Sequence, residues 1–302
     1  MTKQTITVFG GTGAQGGGAV SALLDRGEFA VRVPTRNPTS DAARALAARG
    51  VELVKADLLE PKSLAAAFDG AYGAFVVTNF WDPQVGQREG ELATAAVEAA
   101  RAAGVEHLIW STLPDAEKLT KGRLKLAHFT GKAHVDAAVA AAGFARHTFV
   151  EAPMYFQGLA GALAPQALSS GGRGWVVPID PAARVIHAGD VADVGRAVSA
   201  AFSARDELAS GSYLAVCGGV YAWNDFVSTL NAQGHDLQVV QVRPEDYGGF
   251  PGAEEILETF QYWEACTYFG PDREKHIAAA NALVPGGFTG FADWARLHMK
   301  PE

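Results

Sequence analysis

The chain has 302 residues, 48% of them hydrophobic, enough to bury a large core, so disorder is excluded and one generous α/β domain or two closely joined ones are expected. Acidic residues outnumber basic ones 33 to 25, for a formal charge of -8. That charge repels polyanions, and Lys118, Lys121, Arg123 and Lys125 read as a solvated loop face, so no direct contact with nucleic acid is expected. The two cysteines, Cys217 and Cys266, form neither a C-x-x-C nor a Cys/His pair with metal-ligand spacing, so no metal site is expected and a reducing compartment fits. Met1 to Gln4 runs straight into a strand-like segment without a secretory pattern, and no stretch of about 18 apolar residues occurs. A cytoplasmic protein without a membrane span is expected.

In chain order, short β-rich runs alternate with Ala-rich segments of helical apolar spacing. Strands are predicted at Thr5 to Phe9, Ala30 to Thr35, Val51 to Lys55, Ala74 to Thr78, His107 to Ser111 and Arg146 to Val150. Helices are predicted between them at Gln15 to Arg26, Ser40 to Arg49, Lys62 to Phe68, Gln84 to Ala103 and Arg123 to Ala142. Gly104 and Gly143 follow two of these helices, where a left-handed residue ends them. Six strands joined by right-handed crossovers make a Rossmann-type doubly wound parallel sheet. After about Pro153 the rhythm breaks. Gly158 to Gly174 is rich in Gly and Ala and leads to a strand at Trp175 to Val177. A helix at Asp190 to Ala204, a strand at Ser212 to Cys217, a helix at Trp223 to Ala232 and a strand at Leu237 to Val242 follow. The expected division is a dinucleotide-binding domain over residues 1–153 and a smaller mixed α/β region over 154–302, interleaved with it, for a substrate or partner. The aromatic run Phe260, Tyr262, Trp263, Tyr268 and Phe269 is placed on a late helix and read as core.

The chemistry-bearing segment is Gly10-Gly11-Thr12-Gly13-Ala14-Gln15-Gly16, which follows a strand and opens a helix. Gly10, Gly13 and Gly16 allow, in turn, the tight turn, the approach of backbone to a pyrophosphate, and close packing of helix on strand. The free N–H groups of the helix start then face the phosphates. A dinucleotide is therefore expected here. Where an NAD enzyme places an acid at the end of the second strand, this chain has Thr35-Arg36-Asn37-Pro38. Arg36 is either a surface arginine or the partner of a 2′-phosphate, and its place beside the glycine loop favours NADP(H). Asp57 and Leu58 would flank the adenine, and Thr78, Asn79 and Phe80 the pyrophosphate and ribose.

With these residues located, the chain resembles the NmrA-like family of atypical short-chain dehydrogenases, named for a fungal nitrogen-metabolite regulator, and is most similar to its NADPH-sensor members. The resemblance rests on Phe9 to Gly17, Val33 to Pro38, Val77 to Trp81, Leu119 to Leu124, Ala127 to Lys132, Pro153 to Phe156, and Pro244 to Tyr247 with Gly249 to Ala253. It implies cofactor contacts from Gly10 to Gln15, Arg36, Asn37, Asp57, Leu58, Thr78, Asn79 and Phe80. It adds Lys132 and the stretch Tyr155, Phe156, Gln157 and Gly158 near the nicotinamide, and it allows a homodimer. One departure concerns a phosphate-contacting lysine that related sensors carry in the helix after the fourth strand. Here the register gives Glu91, with Arg88 one turn earlier, and cofactor affinity depends on that difference.

Short-chain dehydrogenases pair Tyr and Lys at i and i+4, where the ammonium lowers the phenol pKa. This chain has His128 and Lys132 in that frame. His128 is either an acid or a bystander, Lys132 can anchor a ribose or phosphate, and Ser111 is either a substrate-polarising hydroxyl or a strand-end cap. Two functions follow. The missing tyrosine favours a redox sensor in which NADP(H) occupancy orders the loops Asn79 to Arg88 and Lys118 to Arg123 against a regulatory protein partner or a second subunit. The alternative is an NADPH-dependent reductase of a quinone, enone or similar apolar substrate, with its pocket in the Tyr155 to Gly174 region.

Overall fold

β1 (Thr5–Val8) is buried from Ile6 to Val8, as a central strand of a parallel sheet is, with Ile6 and Val8 on one face and Thr7 on the other donating its hydroxyl to the Ala67 carbonyl at 2.8 Å. The computed structural model describes residues 3–301. From β1 the chain runs through α1 (Ala14–Arg26), β2 (Ala30–Thr35), α2 (Asp41–Ala48), β3 (Glu52–Lys55), α3 (Leu64–Phe68), β4 (Gly73–Val76) and α4 (Glu89–Ala102). It continues through β5 (His107–Thr112), α5 (Ala116–Leu119), α6 (Ala127–Ala141) and β6 (Arg146–Glu151). Then come β7 (Met154–Tyr155), α7 (Phe156–Leu159), β8 (Gln166–Ala167), β9 (Arg173–Val177), β10 (Ile186–Gly189), α8 (Val191–Ser203), β11 (Ser212–Ala215) and β12 (Gly219–Tyr221). The last elements are α9 (Trp223–Ala232), β13 (Leu237–Gln241), α10 (Ala253–Cys266), α11 (Arg273–Leu283) and α12 (Phe291–His298).

The main sheet has the order β11-β6-β5-β4-β1-β2-β3, and all its pairings are parallel. Strand order reverses between β1 and β4, so the loops leaving their carboxyl ends diverge and open the crevice in which α/β sheets bind ligands. The Rossmann-type expectation holds, with one addition: β11, from beyond residue 153, extends the sheet as a seventh strand on β6. α8 returns as well, packing on α1 through Gly18 and Gly195. The two sequence regions are therefore woven together at the sheet. Two three-stranded sheets, β12-β10-β7 and β13-β9-β8, carry the remaining strands. Apolar clusters fill both faces of the main sheet, and a third, rich in aromatic side chains, lies among β7, β9, β10, α9, α10 and α12.

Several boundaries differ from the sequence expectation for local reasons. The helix predicted from Arg123 starts at Ala127, because Thr120 Oγ1 accepts the Leu124 N–H and the Leu126 backbone is left-handed, φ +38°. The helix predicted from Gln84 starts at Glu89 after a single 3-10 turn. β4 ends at Val76, which leaves Thr78 and Asn79 in the crevice loop, and β11 stops at Ala215. Gly104 and Gly143 do end their helices with φ of +80° and +75°. Of the aromatic run, Phe260, Tyr262 and Trp263 lie on α10, whereas Tyr268 and Phe269 lie past its end. No helix among the described residues is long and apolar enough to cross a membrane.

Candidate cofactor and substrate site

The loop between β1 and α1 turns at Gly10, φ +64°, and closes with a hydrogen bond of 2.8 Å from Gly13 N–H to the Gly10 carbonyl. α1 then starts directly under the turn. A Cβ on Gly16 would lie 2.3 Å from the Gly10 carbonyl carbon and oxygen, so only glycine lets the helix come this close. The N-cap residue, Gly13, supplies no side-chain acceptor, and the first turn contains no acid. Its free N–H groups point out of an exposed loop formed by Gly10, Thr12, Gly13 and Ala14, an arrangement that fits a pyrophosphate.

Beside this loop, Arg36 follows β2 with its side chain 60% exposed and only a long contact, 3.8 Å, to Asp82. Its guanidinium is free to close on a phosphate. Asn37 Oδ1 accepts from the N–H and hydroxyl of Thr39, which fixes the turn after Arg36. Asp57 accepts the Leu59 N–H at 3.0 Å, and Leu58 packs against the α3–α4 core. Arg88 and Glu91, the positions that depart from the sensor pattern, pair with each other at 3.2 Å in solvent.

The pair predicted for catalysis is otherwise engaged. Lys132 Nζ reaches Glu89 Oε1 at 2.6 Å and the carbonyl and hydroxyl of Thr78 at 3.0 Å each, so its three N–H donors are spent. Both charges are buried, with Glu89 Oε2 unpartnered, and burial pulls the Lys132 pKa down against the pull of Glu89. Lys132 is thus held by Glu89 and Thr78 at the carboxyl end of β4. His128 is held as firmly: Glu255 Oε1 on α10 lies 2.6 Å from its Nδ1 and accepts its backbone N–H at 3.0 Å. Burial raises the Glu255 pKa, but the hydrogen bonds from His128 outweigh it and leave the carboxyl below its usual range. Glu258 accepts the Leu126 N–H at 2.9 Å, so two α10 carboxylates satisfy donors at the start of α6, where negative charge also suits the helix dipole.

Ser111, fully buried at the end of β5, donates to Gln15 Oε1 at 2.8 Å, and Gln15 Nε2 donates to the Tyr155 hydroxyl at 2.5 Å. Gln15 thus ties the glycine loop to β5 and β7. Gln157 caps α8, with Nε2 donating to Asp190 and Oε1 accepting the Val191 N–H. Phe156 departs from expectation. Its ring is fully buried against Tyr221, Phe291 and Trp294, away from the crevice, because α7 turns that face into the aromatic core.

A cavity of about 570 Å³ lies at the carboxyl end of the sheet. Its polar end brings together Gln15, Thr78, Asn79, Ser111, His128, Lys132, Tyr155 and Gln157, with Phe80 and Gly158 beside them. Gly10 to Ala14, Gly16, Arg36, Asn37, Asp57 and Leu58 lie outside it, on the side where the rest of a dinucleotide would run. Much of the remaining lining is aromatic and aliphatic: Trp81, Met154, Leu163, Trp175, Trp223, Tyr247, Ile256, Phe260, Trp263 and Tyr268. Sequence reasoning missed most of these. It placed the pocket in Tyr155 to Gly174, which contributes Tyr155, Gln157, Gly158, Ala162 and Leu163, but the larger wall comes from β9, α9, α10 and the loop after it. The clustering of Phe260, Trp263 and Tyr268 was the available signal. They are core residues with one face turned to the cavity.

The NmrA-like family model matches residues 2–295, and the chain belongs to that family. An NmrA-like family domain-containing oxidoreductase of Aspergillus flavus is 40% identical over 128 residues, 41% of this chain and 38% of that protein. One of Malbranchea aurantiaca is 40% identical over 141 residues, 44% and 42% of the two chains. The matched stretch thus spans about two-fifths of these curated relatives. Among solved structures, the negative transcriptional regulator NmrA in complex with NADP superposes with a TM-score of 0.80 at 24% identity, covering 98% of this chain and 95% of that one. NADPH-dependent quinone oxidoreductase of Escherichia coli, complexed with NADPH, gives 0.73 at 21% identity over 96% and 98%. At these identities the likeness is one of fold.

Proposed function

We propose that the protein is an NADP(H)-dependent reductase of a small, flat, apolar acceptor of the quinone or enone type. The observation that carries this reading is the aromatic-walled cavity of about 570 Å³, which abuts the glycine loop and has a few hydrogen-bonding groups at one end. A protein that only reports cofactor occupancy needs no such chamber. The cavity therefore reverses the order in which the residues alone rank the two functions. Relatives named oxidoreductases and the fold shared with a quinone oxidoreductase support the same reading.

The N–H groups at the start of α1 would hold the pyrophosphate, and the exposed Arg36 would hold the 2′-phosphate. NADPH, when bound, would supply the hydride, and Gln15, Ser111 and Tyr155 lie where the glycine loop meets the cavity. The indole and phenyl walls stack the acceptor and exclude water. The buried Lys132–Glu89 pair carries no net charge and fixes the floor beneath Thr78. A strong acid is not required for electron-poor acceptors, which suits a site whose His128 and Lys132 are both engaged.

A sensor role remains the second reading, favoured by that same engagement and by the fold shared with a transcriptional regulator. It would call on a regulatory partner or a second copy of the chain. Following NADPH absorbance with a panel of quinones and enones separates the two. We expect steady acceptor-dependent oxidation, faster with NADPH than NADH, and a loss of about tenfold or more of that preference in Arg36→Ala. Cofactor binding without oxidation by any acceptor would leave the sensor reading standing.

A further inference from the structure

The hydroxyl of Tyr155 makes one hydrogen bond among the described residues, and in it the oxygen is the acceptor. The direction is set from the far side of Gln15. Ser111 Oγ, with no solvent to turn to, donates to Gln15 Oε1 at 2.8 Å, and this turns the amide so that Nε2 faces Tyr155. In this orientation Gln15 does not take the phenolic proton. Tyr155 lines the cavity together with Ser111 and Gln15, and its own donor is unspent.

We infer that Tyr155 is the hydrogen-bond donor that recognises a carbonyl oxygen in the aromatic cavity, with Ser111 and Gln15 holding it in the donor direction. The inference takes from the proposed reductase function only the choice of cavity. Two other observations agree with it. Burial raises the Tyr155 pKa far above the usual phenol range, so the proton stays in place at any working pH. Of the other polar groups at this end, Lys132 is committed to Glu89 and Thr78, His128 Nδ1 to Glu255, and Gln157 to the start of α8. A ligand oxygen entering beside Gln15 meets the Tyr155 hydroxyl, which is bonded to that side chain, whereas the Asn79 amide and the Tyr268 hydroxyl offer donors elsewhere on the lining. The apolar walls exclude competing water, so such a bond discriminates strongly between a carbonyl compound and its hydrocarbon frame.

The test needs neither cofactor nor turnover. α-Tetralone and tetralin share one bicyclic frame and differ by a carbonyl oxygen, and calorimetric titration of each into the full-length protein measures recognition of that oxygen alone. We expect Tyr155→Phe to weaken α-tetralone binding by about fivefold to tenfold and to leave tetralin unchanged. Ser111→Ala, which frees Gln15 to rotate and accept the phenolic proton, should weaken α-tetralone in the same direction. The double variant should lose no more than Tyr155→Phe alone, a non-additivity that separate packing effects would not produce. Equal α-tetralone affinity in the native protein and Tyr155→Phe, equal weakening of both ligands, or no binding of α-tetralone to the native protein would each overturn the inference. Because binding is read without NADPH, α-tetralone recognition by Tyr155 in a protein that oxidises no NADPH would refute the reductase reading and leave this one intact.

Discussion

Asp136 is where a single side chain most clearly sets a solution property. It sits on α6 one turn beyond Lys132, accepts from Thr112 at 2.7 Å and Tyr213 at 2.9 Å, and faces the carboxylate of Glu151. Burial lifts its pKa to about 7, against the two hydrogen bonds. The protonated form is thus favoured in the folded state. The stability this confers is complete below the unfolded carboxylate pKa of about 3.9 and is lost as pH rises through 7. Asp136→Asn should therefore melt several degrees higher than the native protein at pH near 8 and differ little near pH 4. A constant difference across that range would contradict the assignment. Single residues were also the least legible feature of the sequence. Arg36 and the glycine loop declare themselves by local spacing, but Gln15 takes its meaning from Ser111 and Tyr155, 96 and 140 positions away. Likewise the i, i+4 frame of His128 and Lys132 says nothing of Glu255 and Glu89, which arrive from other elements and occupy them.

At the scale of elements, the βα alternation of the first half was readable because each strand and helix carries its own period. β11 was visible as a strand but not as a member of the main sheet, since pairing with β6 depends on the path of the chain rather than on local pattern. α10 shows the same limit: its aromatic face reads as core, yet it also walls the cavity and caps α6 through Glu255 and Glu258. The crossing of α1 and α8 carries the next prediction. A Cβ on Gly195 would fall 2.1 Å from the Gly18 carbonyl carbon, so Gly195→Ala must push the two helices apart. Overpacking of this kind costs about 1–3 kcal/mol, and it displaces the helix whose amino end faces the phosphates. The variant should show both a lower melting temperature and weaker NADPH binding, although residue 195 belongs to a helix behind the loop. Unchanged affinity in a destabilised protein would separate the two helices' roles.

The whole molecule joins a dinucleotide crevice, formed where the strand order reverses between β1 and β4, to an aromatic chamber built from the second half of the chain. The crevice was legible from composition, glycine spacing and Arg36. The chamber was not, because its walls are gathered from β9, α9, α10 and the following turn, and the aromatic cluster of α10, the one local signal, reads equally as core. That chamber is the feature that favours the proposed reductase over a protein that only reports NADPH. The central claim is direct transfer of hydride from NADPH to an acceptor in the cavity. Its most direct test uses NADPH deuterated at C4, each epimer separately, with an enone acceptor and mass spectrometry of the product. The account predicts one deuterium on carbon in the reduced enone, delivered by one of the two epimers. Reduced product without deuterium from either epimer, or no reduced product at all, would contradict it.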